Sequence, residues 1–139
     1  MTTEQLLHKL NERNANTFMS VLNIEYIDAG DDYLVAKMPV TPDLHQPDGV
    51  LHGGATAALA ESVGSAASAI RIDHSTHFVR GIELTANHLK SVRDGFVIAT
   101  AKAIHLGRTL QLWEIRVCDE SDQLISSCKL TTITLPKKQ

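Results

Sequence analysis

Glu61 is the only formally charged side chain between Asp48 and Arg71. It stands in an Ala-rich stretch, Ala55 to Ile70, whose composition predicts a helix because Ala has the highest helical propensity. At helical spacing Leu59, Val63, Ala66 and Ile70 fall on one side. Gly54, Ala57, Glu61, Gly64, Ser65 and Ser68 fall on the other. An ordinary solvated face carries Lys, Gln and Arg, whereas this one carries Gly, Ala and Ser, which let a backbone or a ligand come close. A lone carboxylate there would be partly desolvated, and cleft carboxylates of that kind are candidates for proton transfer or nucleophilic attack. The plain alternative is a solvated Glu on a surface helix. Ser65, one turn beyond Glu61, is placed to hydrogen-bond the carboxylate or a water, or else to bond back to its own helix.

The loop before the helix, Gln46-Pro47-Asp48-Gly49-Val50-Leu51-His52-Gly53-Gly54, ends on two glycines that let the backbone pass close to another group. A helix start presents free N–H groups and partial positive charge. Those groups can polarise a carbonyl and hold an oxyanion. Other chemistries fit less well. Ser62, Ser65 and Ser68 lie mid-helix with no Gly-x-Ser-x-Gly elbow. His45, His52, His74, His77, His88 and His105 are scattered, no His-Glu-x-x-His occurs, and no metal site is expected. By pattern alone, His88 is a strand residue facing the core or a ligand channel.

The ordered set Gln46-Pro-x-Gly-x-Leu-His52-Gly53-Gly54, Ala-Leu-Ala-Glu61-Ser, Glu83-Leu-Thr-Ala-Asn87-His88 and His105-Leu-Gly-Arg108 resembles the PaaI-like hot-dog-fold thioesterases over nearly the whole chain. The likeness is greatest to the 1,4-dihydroxy-2-naphthoyl-CoA thioesterases of menaquinone synthesis and the enterobactin-pathway proofreading thioesterases, whose loop has an aromatic residue where this chain has Asp48. The resemblance implies hydrolysis of an aromatic acyl-CoA, with no cofactor beyond the CoA of the substrate. It implies that Gln46, His52 and the Gly53 N–H orient and polarise the thioester. Glu61 is then base or nucleophile, and Ser65 places water. His88, Lys90, Arg93 and Arg108 are candidates for substrate or CoA binding, since CoA phosphates need cations. Two alternatives are a non-catalytic acyl-CoA-binding protein and an enoyl-CoA hydratase. Hydratases of this fold use an Asp–His dyad, which Glu61 on the core helix does not match.

Elements to position these groups are legible. Residues 1–139 suit one domain without repeats or linkers. Thr2 and Gln5 have capping-box spacing for a short helix that ends near Asn14 and lies over the entrance to the site. Strands are expected over Leu22–Ile27, Tyr33–Pro39, Phe78–Lys90, Phe96–Ile104, Leu110–Cys118 and Leu124–Leu135, separated by polar turns such as Gly30-Asp31-Asp32 and Arg93-Asp94-Gly95. On the strand after the helix, Ile82, Leu84, Ala86 and His88 alternate with Glu83, Thr85 and Asn87. One long helix and six antiparallel strands make an α+β fold, a curled sheet wrapped around the helix, as the resemblance also implies.

The net charge of −3 argues against a nucleic-acid partner. No apolar run is long enough for a membrane span, and Met1–Gln5 lacks a signal-peptide start, so a cytoplasmic location with reduced Cys118 and Cys128 is the expectation. Assembly follows from length. Gly53 and Glu61 are eight residues apart, which is about 12 Å along a helix. One thioester carbonyl cannot touch both, because hydrogen bonds need roughly 3 Å. Two antiparallel core helices about a two-fold axis would bring the start of one beside the middle of the other. A homodimer with two shared sites is therefore expected, paired into a homotetramer by the resemblance.

Overall fold

The computed structural model describes residues 1–138. Helix α1 (Thr3–Arg13) and the short α2 (Phe18–Val21) precede strands β1 (Glu25–Ala29) and β2 (Tyr33–Pro39). A 3-10 turn at Pro42–Leu44 leads to α3 (Gly53–Ala69), and β3 (His77–His88), β4 (Phe96–Leu106), β5 (Leu110–Asp119) and β6 (Leu124–Pro136) complete the chain. The strands form one antiparallel sheet in the order β1-β2-β4-β5-β6-β3, which leaves β3 at an edge. This is the hot-dog architecture, a curled six-stranded sheet around α3.

The sheet curls because its inner positions are narrow as well as apolar. Ala36, Ala99 and Ala101 are fully buried beside Leu34, Met38, Val97, Trp113, Ile115 and Leu130. Against them α3 sets Leu59, Ala60, Val63 and Ala67, also fully buried. Burying each Leu or Val side chain contributes about 1.5–3 kcal/mol. At Gly64 a Cβ would stand 2.6 Å from Leu130 Cδ2, so this glycine lets α3 seat against β6.

Two expectations about α3 need correction. Gly64 and Ser68 do not share the Glu61 face, since both are buried against the sheet. Ser68 Oγ accepts from Trp113 Nε1 (2.8 Å) and bonds Thr132 Oγ1 (2.7 Å). The curled sheet covers α3 on more than one side, so burial there does not follow apolarity. Glu61 itself is exposed within the chain, so any desolvation needs a cover from outside it.

The first strand begins three residues later than expected. Phe18–Val21 is helical, and Asn23 turns the chain with φ 56°, a conformation Asn tolerates. Ile82 leaves the expected alternation because β3 carries a bulge. Gly81 pairs with Thr132 and Glu83 with Thr131, which puts Ile82 out at 54% exposure while Leu84 and Ala86 pack on the core.

α1 keeps its capping box, with Gln5 N donating to Thr2 Oγ1 at 3.1 Å and Thr2 N to Gln5 Oε1 at 2.9 Å. Asn11 ties it to β1 by exchanging two bonds with the Tyr26 backbone, and Asn14 Nδ2 donates to the Ile24 carbonyl. At the far end of α3, Arg71 donates to the carbonyls of Ala67, Gly30 and Asp31 and lies 5.1 Å from the Trp113 ring centre.

Candidate active site

The loop that feeds α3 is held by its backbone. His52 N donates to the Leu44 carbonyl, Leu51 N to Val92 and Gln46 N to Val50, each at 2.8 Å. His52 is the N-cap of α3, and its Nδ1 accepts from Gly54 N at 2.7 Å. That bond leaves Nδ1 unprotonated, so in the neutral ring Nε2 carries the proton and is a donor. Ala55 N and Thr56 N both turn to the His52 carbonyl. The Gly53 N–H finds no acceptor among the described residues. Gln46 Oε1 accepts from Asp48 N, which leaves the amide NH2 for another partner.

Gln46, Gly53, Thr56, His88 and Lys90 line one cleft of about 300 Å³. The His88 ring lies over Gly53, where a Cβ would meet Nε2 and Cδ2 at 2.9 Å. Ser126, fully buried, sets the ring's tautomer. Its hydroxyl donates to the Asn87 carbonyl (3.0 Å), so its lone pair receives Nδ1–H of His88 (3.1 Å) and the Nε2 beside Gly53 is an acceptor.

Glu61 and Ser65 line a different and larger cleft, about 760 Å³, walled by Leu10, Arg13, Phe18, Met19 and Tyr26 from the N-terminal elements and by His77, Phe78 and Arg80 from β3. α1 does lie over this entrance, as its sequence suggests. Ser62, not Ser65, bonds back to the helix, donating to the Ala58 carbonyl at 2.7 Å. Tyr26 donates to the Ser62 carbonyl at 3.3 Å, and burial pushes its phenol up to about 12, an effect that Arg13 opposes.

Within one chain, then, the predicted site residues fall into two groups on either side of α3's first turns. Gln46, Gly53 and His88 share one cleft, His52 is exposed beside it and does not line it, and Glu61 and Ser65 are together elsewhere. The cations are dispersed. Lys90 is engaged by Asp119 (3.2 Å) and Gln123. Arg93, exposed, lies near Gly49, and its carbonyl pairs with His45 Nε2 at 2.8 Å. Arg108 sits in the β4–β5 turn, where the Thr109 carbonyl accepts from Thr134 N, the end of β6 away from Ser126. Among the described residues no three His, Cys, Asp or Glu side chains converge as a metal site would need. Cys118 and Cys128 are free thiols, both pushed up by burial.

Two residues near these clefts, Ser126 and Gly81, were not singled out from sequence, and Gly54 was read there only as a point of close backbone approach. Gly54 is required by the His52 cap, because a Cβ there would stand 2.8 Å from Nδ1. Ser126 fixes His88. Gly81 lies under Glu61, with Oε2 2.9 Å from where its Cβ would be. A lone Gly within a strand pattern was the available signal for the last.

Residues 48–126 match the thioesterase superfamily, and the chain belongs to that family with its hot-dog fold. PA1618 of Pseudomonas aeruginosa is 42% identical over 130 residues, 94% of this chain and 90% of that one. A crystal structure of a mutant of it, described as a thioesterase, superposes with a TM-score of 0.92 at 41% identity over 94% of both chains. The thioesterase HI1161 from Haemophilus influenzae superposes at 0.89, with 40% identity over 94% of this chain and 90% of that one. SAV0944 of Staphylococcus aureus superposes at 0.84 and 0.83 in two mutant crystal structures, 37% and 36% identical over 86% and 85% of this chain and 98% of that one. One carries Ala in place of a Glu and the other Ala in place of a Gln, at positions 15 residues apart. Among the described residues no helix is long and apolar enough to cross a membrane.

Proposed function

We propose that the chain hydrolyses an aromatic acyl-CoA thioester, of the hydroxynaphthoyl or hydroxybenzoyl type, to a free acid and CoA. The observation that carries the hydrolysis is the division of α3, while the aromatic acyl group rests on the resemblance of the motifs alone. The loop before α3 and the helix start offer the Gln46 amide, the His52 Nε2–H and the free Gly53 N–H, and the middle of the helix offers an exposed carboxylate facing a larger cleft walled by Leu10, Phe18, Met19 and Tyr26 together with Arg13 and Arg80. Gln46 and Glu61 have the same 15-residue separation as the Gln and Glu exchanged in the Staphylococcus aureus protein, which supports their roles as a pair.

In this reading the carbonyl oxygen lies at the Gly53 N–H of one chain, and Glu61 comes from a second copy. Glu61 takes a proton from water as the water oxygen bonds to the thioester carbon. The oxyanion collapses, the C–S bond breaks, and the proton passes to the CoA sulfur, so thioester and water become acid and thiol. Direct attack by Glu61, through an anhydride that water then opens, uses the same groups. Gly53 supplies the oxyanion contact, typically 10²–10³-fold in rate. Ser65 places the water. His88 and Lys90 border the CoA side, with Arg93 and Arg108 as further candidates for its phosphates. No cofactor enters the scheme. The open edge of β3 is suited to pairing with a second copy, and two such dimers make the tetramer.

The test is a panel of CoA thioesters with wild-type protein and Glu61→Gln. Wild type should prefer benzoyl-type to palmitoyl-CoA, and Glu61→Gln should lose at least ~100-fold in rate. A binding protein would turn over none of the panel. A hydratase would act on enoyl-CoA alone. Equal or better turnover of palmitoyl-CoA would reject the aromatic assignment, and a variant keeping more than about a third of the rate would remove Glu61 from the chemistry.

A further inference from the structure

We propose that Gly81 is a positioning residue for Glu61, its missing side chain being what seats the carboxylate. A Cβ at residue 81 would stand 2.9 Å from Glu61 Oε2 and 3.5 Å from its Cδ. The third neighbour, Leu130 Cδ1 at 3.4 Å, is in ordinary contact. The backbone does not call for glycine. Gly49 and Gly95 are the glycines with positive φ, and Gly81 is not among them. What Gly81 excludes is therefore a methyl group against the carboxylate.

The bulge gives the position its aim. Gly81 pairs with Thr132 and Glu83 with Thr131, so the strand bends at the residue that faces α3 while Ile82 turns outward. Bulges re-aim side chains beside active sites. An alanine here has a soft obstacle, the far end of a flexible side chain, and the fold can accept it by moving the carboxylate. Moving a reacting group by about 1 Å can cost 10²-fold in rate. The penalty of the methyl group thus falls on chemistry rather than on folding.

This inference rests on Glu61 being the reacting carboxylate, and the test separates the two ideas. Gly81→Ala should lower kcat about tenfold or more while KM stays within about twofold. The thermal midpoint should fall by less than about 4 °C, the effect of roughly 1 kcal/mol. In a Glu61→Asp background the carboxylate is drawn back by one methylene, and the same exchange should cost less than about threefold, a non-additivity that a merely structural role would not produce. The proposal is overturned if Gly81→Ala keeps kcat within about twofold of wild type, costs as much in the Asp background, or unfolds the protein. If Glu61→Gln itself retains turnover, the reading of Glu61 fails and this inference goes with it.

Discussion

The Nδ1 of His52 accepts the Gly54 N–H at 2.7 Å and so closes the first turn of α3 with an imidazole instead of the usual Ser, Thr, Asp or Asn. One bond has two effects. It satisfies an orphan N–H of the helix start, and it fixes the tautomer that leaves Nε2–H free as a donor.

Gly54→Ala tests this contact. In an ordinary helix the exchange would stabilise by up to about 1 kcal/mol. Here its Cβ would stand 2.8 Å from Nδ1, so the ring must turn and the cap is lost, a cost of about 0.5–2 kcal/mol. Unfolding midpoints should be level or lower, and kcat/KM should fall at least fivefold as the donor is misaimed. A more stable variant with unchanged kcat/KM would show that the ring does not serve the site.

Ser68→Ala removes the one acceptor of the buried Trp113 Nε1–H and the partner of Thr132 Oγ1. An unsatisfied buried polar group costs about 1–3 kcal/mol. At a fixed protein concentration the melting midpoint should drop by about 3–10 °C, while kcat at 25 °C stays near wild type. An unshifted midpoint would mean that the pocket around Trp113 admits water.

Tyr26 gives the fold an alkaline limit. Burial raises its phenol from about 10 in the unfolded chain to about 12, so the folded state holds the proton more tightly. Its stabilisation is whole below pH 10 and is lost as pH rises through 12, on the order of 2–3 kcal/mol. Urea unfolding at pH 9 and at pH 11.5 should show a steeper loss in wild type than in Tyr26→Phe. Equal losses in both would assign the alkaline limit to another group.

The sheet, α1 and α3 were legible because their patterns are strong, with period-two alternation in β2, a capping box at the start of α1 and an Ala-rich run in α3, whereas the short α2 was not. The faces of α3 were not. In a helix of Ala, Gly and Ser both sides look alike, and the curled sheet, not the side chains, decides that Gly64 and Ser68 go inward. Ile82 defeated the alternation for a related reason, since a bulge puts it out of phase with Leu84 and Ala86 beyond it, and only the pairing of Gly81 and Glu83 reveals it. Of the candidate site, Glu61 was singled out by its isolation and His52 and Gly53 by the helix start, whereas Gln46 entered through the resemblance alone. Gly81 and Ser126 act by the space left or the tautomer imposed, which needs coordinates to see, and for Gly54 the sequence showed a close approach but not its partner, the His52 ring.

In the proposed dimer one site takes its carboxylate from one chain and its helix start from another. Gly53 and Glu61, about 12 Å apart along one helix, cannot share a thioester carbonyl. Chains carrying Glu61→Gln and chains carrying Gln46→Ala with His52→Ala, each inactive alone, are to be unfolded together and refolded at equal ratio, and thioester hydrolysis measured. Random pairing makes half the dimers mixed, each with one intact site, so activity should return to about a quarter of wild type. No return of activity, with mixed dimers demonstrated by differential tags, would contradict the account and place each site within a single chain.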